Sequence, residues 1–113
     1  MAKQHRAPTG HPDLTAQQGD VQFLVAVIPP EAHPAGHGIL ARGEATGHAH
    51  RLEETTDGLL YEDTGKLYLR VGPAGATVTH EEHRAITLPP GEYRIGRVRE
   101  YDHFAEEARQ VRD

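Results

Sequence analysis

From Gly19 onward the chain alternates apolar and polar residues in short runs, each ended by a cluster of glycine, proline or aspartate. Period-two alternation places every second side chain on one face, so such runs predict half-buried β-strands rather than helices. Val21, Phe23, Val25 and Val27 open the series against Gln22, Leu24, Ala26 and Ile28, and Pro29-Pro30 closes it. Pro30 to Gly38, with Pro34, His33, His37 and two glycines, reads as a loop. Short strands are expected at Ile39 to Ala41, at Ala49 to Leu52 and at Leu59 to Tyr61, the last after the turn Thr56-Asp57-Gly58. Asp63-Thr64-Gly65-Lys66 is a hairpin turn into Leu67, Leu69 and Val71. Gly72 to Gly75 breaks that strand, and Thr77 to Thr79 and Ala85 to Leu88 are again extended. Pro89-Pro90-Gly91 then turns the chain into a final strand through Tyr93, Ile95, Val98 and Tyr101. The slip in period between Ile95 and Val98 predicts a bulge near Gly96.

The two ends differ from this pattern. Residues 1–18 lack an apolar period and carry two prolines, so they read as a flexible N-terminal arm ahead of one β-rich domain, residues 19–113. Near the C-terminus Asp102 suits a helix cap, and Phe104, Ala108 and Val111 fall at i, i+4 and i+7. The fold class expected is mainly β, a small barrel or sandwich of about seven short strands with a short C-terminal helix. Such a helix is marginal alone, so its stripe should dock on the sheet or on another subunit. Tyr61, Tyr68 and Tyr93 are expected in the core or on a sheet face. With 36% apolar residues and no tryptophan, the core is thin, a deficit that a metal or a second subunit commonly offsets.

Composition removes several chemistries. There is no cysteine, hence no disulfide, thiolate ligand or cysteine nucleophile, and no serine, hence no serine nucleophile. Asparagine is also absent and arginine far outnumbers lysine, a bias that fits a GC-rich genome or a hot habitat. A net charge of −5 argues against a nucleic-acid partner, Arg94, Arg97 and Arg99 forming the one local basic cluster. No apolar run approaches the roughly 18 residues of a spanning helix and no signal-peptide h-region opens the chain. No membrane partner and a cytoplasmic location are therefore expected. Nine histidines make the charge sensitive to pH near 6 to 7.

Four of those histidines carry the sharpest chemical reading. His48 and His50 stand at i and i+2, one face of a strand. Thr79 and Glu82 match a capping box, which would start a helical turn presenting His80 and His83 together at i and i+3. If the fold joins the pairs, His48, His50, His80 and His83 supply nitrogen ligands for a divalent metal ion, zinc foremost, with iron, nickel, manganese or copper also accepting such a set. Glu53, Glu81 and Glu82 are the oxygen donors within reach, as ligands or as acceptors for ring N–H groups. The plainer alternative is that these are surface or hydrogen-bonding histidines. His80-Glu81-Glu82-His83 lacks the i, i+4 spacing of a helical zinc-protease motif, and Gly72-Pro73-Ala74-Gly75 lacks the Lys-Thr or Lys-Ser of a phosphate loop. His5 and His11 fall on the arm, His33 and His37 in the Pro/Gly loop, and His103 beside the cap of the last helix.

Gly43, His48-Ala49-His50 and Glu53, followed by Ile86-Thr87-Leu88-Pro89-Pro90-Gly91, resemble a small cupin. That resemblance implies metal ligation by the HxH pair and a following Glu, then a Pro-containing turn before the strand that bears a last His. Here His50 and Glu53 are close in sequence and the place of the last His reads Glu92-Tyr93, so the carry-over stops at His48, His50 and Glu53. Gly43 to His50, Thr79 to Tyr93 and Arg99 to Asp113 are also similar to a group of short, uncharacterised bacterial and phage-encoded proteins, which implies a self-contained domain and no particular activity.

Two functions follow as expectations. One is a small β domain binding a divalent metal through His48, His50, His80 and His83. No catalytic residue is assigned, though a water on such a metal would find its general base in Glu81 or Glu82. The other is a non-enzymatic assembly protein that self-associates through edge strands and the Phe104-Ala108-Val111 stripe, tuned by its histidines.

Overall fold

The computed structural model describes residues 13–43, 47–54 and 56–98. Its elements are ten strands, all paired antiparallel, in two sheets. In chain order they are β1 (Leu14–Gln18), β2 (Val21–Val25), β3 (His33–Pro34), β4 (Ile39–Arg42), β5 (Ala49–Leu52), β6 (Gly58–Asp63), β7 (Lys66–Val71), β8 (Ala76–Thr79), β9 (Ile86–Leu88) and β10 (Gly91–Arg97). The larger sheet runs β1-β2-β10-β7-β6-β3 and the smaller β4-β5-β8-β9. Among the described residues neither sheet closes on itself, so they form no closed barrel.

One core draws on both sheets. Val21, Phe23, Leu60, Leu69, Val71 and Tyr93 come from the larger, and Leu40, Ala41, Ala76, Val78 and Leu88 from the smaller. Val21 and Phe23, Leu69 and Val71, and Ala76 and Val78 turn inward at every second position, whereas adjacent Leu40 and Ala41 both enter the core beside the β4 register shift, and Val25 and Val27 are exposed. Tyr93 is buried and its hydroxyl donates to Pro89 O at 2.7 Å, closing the Pro89-Pro90-Gly91 turn. Tyr68 is also buried, whereas Tyr61 is half-buried beneath Arg70.

Several expectations change. Residues 14–18, assigned to the arm, form edge strand β1, because Leu14, Ala16 and Gln18 turn towards the protein while Thr15 and Gln17 face out. The bulge foreseen at Gly96 is absent, since β10 pairs with β2 without a shift from Tyr93 to Arg97. Gly96 instead lets Leu24 pack closely, a Cβ there standing 3.1 Å from Leu24 Cδ1. Register shifts fall in β1, between Leu14 and Ala16, and in β4, between Ile39 and Ala41. The capping box does not form, and residues 80–83 bend without a helical turn. The short C-terminal helix foreseen after the Asp102 cap lies outside the described residues, as do His5, His11 and His103.

A candidate metal centre between the two sheets

Three segments build the site: the two-residue turn between β1 and β2, strand β5 with the residue before it, and the loop from β8 to β9. Gln18 ties them together. Its side chain is buried, and its amide Nε2 donates to Val78 O at 3.0 Å and to Arg84 O at 2.9 Å. Carbonyl oxygens only accept, so the amide nitrogen must face them and Oε1 must face His50 Nδ1, 2.7 Å away. His50 therefore carries its proton on Nδ1 and presents Nε2 as a bare lone pair.

The four predicted histidines come together. The His80 ring centroid lies 4.3 Å from that of His50, 4.6 Å from His83 and 5.7 Å from His48, and His50 and His83 are 6.0 Å apart. His50 is 4% exposed, a rare depth for an imidazole. Burial above all, then the neighbouring His80, brings its pKa from 6.5 down to about 4, against an upward pull from Asp20. His50 is thus neutral at physiological pH.

Each carboxylate has its own task. Glu81 accepts from the Ala49 N–H at 2.9 Å and from Arg51 Nη1 at 2.8 Å, and these bonds, the Ala49 one first, bring its pKa down to about 2. It clamps the β8–β9 loop onto β5, and in doing so joins the HxH and HxxH segments. One ligand atom each from His48, His80 and Glu81 lies within 4.8 Å of the other two. Glu82 Oε2 lies 3.6 Å from His48 Nδ1. The Glu82 amide donates to His80 Nδ1 at 3.0 Å, taking the role that the capping box gave to Thr79. Glu53 is elsewhere. It lines an open groove of about 480 Å³ with Pro34, His37, Ile39 and Leu52, and among the described residues its side chain forms no hydrogen bond or ion pair. His33 pairs with Glu62 in β3, and His37 Nδ1 accepts from Ile39 N–H, so neither reaches the cluster.

Asp20, Gln18 and Arg97 escaped the sequence reading. Asp20 Oδ1 lies 3.7 Å from His50 Nε2, while Oδ2 accepts from Arg97 Nε at 3.0 Å and Nη2 at 2.7 Å. Burial pushes the Asp20 pKa up, but the Arg97 hydrogen bond and charge outweigh it and hold the group below its ordinary value. Arg97, read from sequence as part of a basic cluster, is spent on this pair. Gly19-Asp20 was legible as a turn, and nothing local marked it as part of a site.

Fold and site together define a small two-sheet β protein with a histidine-rich centre at the junction of its sheets. The chain belongs to the family described as Domain of unknown function (DUF8820), which matches residues 17–98. No curated protein and no solved structure matches it. Among the described residues no helix is long and apolar enough to cross a membrane.

Proposed function

We propose that this protein binds a divalent transition-metal ion, zinc fitting best, through His48, His50, His80 and His83. The observation that carries the proposal is the meeting of four imidazoles from segments thirty residues apart. Nitrogen–zinc bonds of ~2.0–2.1 Å put the centroids of two imidazoles on one tetrahedral ion roughly 5 Å apart. The separations of His80 from His48, His50 and His83, and of His50 from His83, run from 4.3 to 6.0 Å and bracket that value. Without cysteine, nitrogen and oxygen donors must serve, and imidazole suits zinc, copper, iron and nickel. Glu81 and Glu82 act here as positioning groups, since both oxygens of Glu81 already accept hydrogen bonds. The cupin resemblance contributes only its HxH pair to this reading.

His80 would pay one bond for ligation. Its Nδ1 lone pair accepts from the Glu82 amide, so a cation on Nδ1 displaces that amide, and a cation on Nε2 requires the ring proton to move to Nδ1. Either way the Glu82 amide resonance should shift when metal is added. The deciding experiment is elemental analysis of purified, untagged protein together with zinc titration by calorimetry. Near-stoichiometric metal, lost in the double variant His48→Ala plus His83→Ala with the fold retained by circular dichroism, is expected. Protein that neither retains nor binds an ion overturns the proposal.

A further inference from the structure

We infer that Gln18, itself no ligand, is the positioning residue of the metal centre and holds three of its four histidines in place; this rests on the metal-binding reading above. Gln18 ends edge strand β1, and it is 3% exposed. A glutamine amide offers two N–H donors and one accepting oxygen, and here each meets a partner. Nε2 donates to Val78 O at 3.0 Å and to Arg84 O at 2.9 Å, while Oε1 stands 2.7 Å from His50 Nδ1. Val78 and Arg84 flank residues 79–83, so the two donor bonds grip the β8–β9 loop on either side of His80 and His83. The oxygen holds the ring of His50 from β5.

Turned over, the amide would set Oε1 against two carbonyl oxygens, so its orientation is fixed by groups that can only accept. Oε1 then takes a hydrogen from Nδ1 whether the ring is neutral or charged, which leaves Nε2 as the atom that can meet an ion. A histidine ligand whose other nitrogen donates to a fixed acceptor is held in tautomer and orientation alike. Losing such an acceptor commonly lowers metal affinity ~10–100-fold. Binding and positioning are also reciprocal. If Gln18 tightens the hold on zinc, zinc must tighten the hold on Gln18 by the same factor. A strand that supplies no ligand is thereby coupled to occupancy of the site.

Zinc titration by calorimetry, run on the full-length wild type, Gln18→Met and Gln18→Glu, tests this. Methionine has a similar length with no N–H donor and no oxygen, and Gln18→Met is expected to bind zinc at least about tenfold more weakly. Gln18→Glu keeps an oxygen for Nδ1 but has at most one hydrogen for the two carbonyls, and should recover part of that loss. Two readouts on the wild type do not depend on either variant folding. With zinc bound, the nitrogen NMR shifts of His50 should mark Nε2 as the bonded atom. The Gln18 side-chain amide protons should also exchange with solvent about tenfold more slowly than in metal-free protein. Wild-type affinity in folded Gln18→Met, or Gln18→Glu binding no tighter than Gln18→Met, overturns the role of Gln18. So does zinc on His50 Nδ1, or amide exchange that zinc leaves unmoved, and in all four cases the histidine reading stands. A wild-type protein that takes up no zinc overturns both.

Discussion

A Cβ added at Gly19 would stand 2.6 Å from His83 Nε2, and the residue sits at a φ of +58°. The first fact makes the glycine a seat for the imidazole, and the second makes it the hinge of the β1–β2 turn. Gly19→Ala should therefore cost about 1–2 kcal/mol in urea denaturation for the left-handed backbone and also push the His83 ring out of the cluster. The two effects separate in a double-mutant cycle, because His83→Ala should weaken zinc binding less in the Gly19→Ala background than in the wild type. His50 gives a second prediction, on metal-free protein. The groups that face it are Asp20, His80, His83 and Arg97, and it stays neutral down to about pH 4. The unfolded chain takes up that proton near pH 6.5, whereas the folded chain refuses it until about pH 4. The stability from this group is thus complete above pH 6.5 and is lost as pH falls through that window, by on the order of 3 kcal/mol. Denaturation midpoints compared at pH 7.5 and 4.5 would measure it. His50→Gln, which keeps a polar side chain but cannot titrate, should flatten the difference.

The β6–β7 hairpin turns on Thr64 and Gly65, at φ of +48° and +81°. Both central residues of such a two-residue turn need positive φ, which glycine meets freely and a β-branched threonine does not. Thr64→Asn should accordingly stabilise the protein by about 0.5–1 kcal/mol, seen as a higher urea midpoint at an unchanged slope. An unchanged or lower midpoint would show that the Thr64 hydroxyl, bonded to Asp63 O, contributes more than its backbone costs. This hairpin was legible in sequence because its signals are local: the Asp63-Thr64-Gly65-Lys66 turn and the alternating Leu67, Leu69 and Val71. The same holds for β5, whose bounds match the expectation. Strand β1 was missed because Leu-Thr-Ala-Gln-Gln is too weakly apolar to announce itself, and its pairing with β2 and the buried Gln18 hold it in place. The bulge at Gly96 was misread for a related reason. The regular register puts Arg97, not an apolar residue, next after Tyr93 and Ile95 on their face, where Asp20 holds it, and Gly96 lies on the opposite face against Leu24.

At the scale of the whole molecule, the candidate site is where the edge of the larger sheet meets the smaller one. Its histidines were legible from their spacing within each pair. Their convergence and the parts played by Gln18, Asp20 and Arg97 were not, since Gln18 meets its carbonyl partners 60 and 66 positions away and Asp20 meets Arg97 77 positions away. Contacts that distant leave no periodic trace. They do have a thermodynamic consequence, because an ion held by β5 and by the β8–β9 loop would cross-link segments that lie far apart in the unfolded chain. A ligand that binds only the folded state stabilises it by about 2.7 kcal/mol at a hundredfold excess over its Kd. For a domain of this size that corresponds to a rise in Tm of roughly 10–20 °C. Zinc added to metal-stripped protein at pH 7.5 should produce that rise, a chelator should reverse it, and magnesium should leave Tm unmoved. His48→Ala plus His83→Ala should abolish the zinc effect while melting near the metal-free wild type. A double variant that still gains the full rise would mean that the ion binds somewhere other than between these sheets.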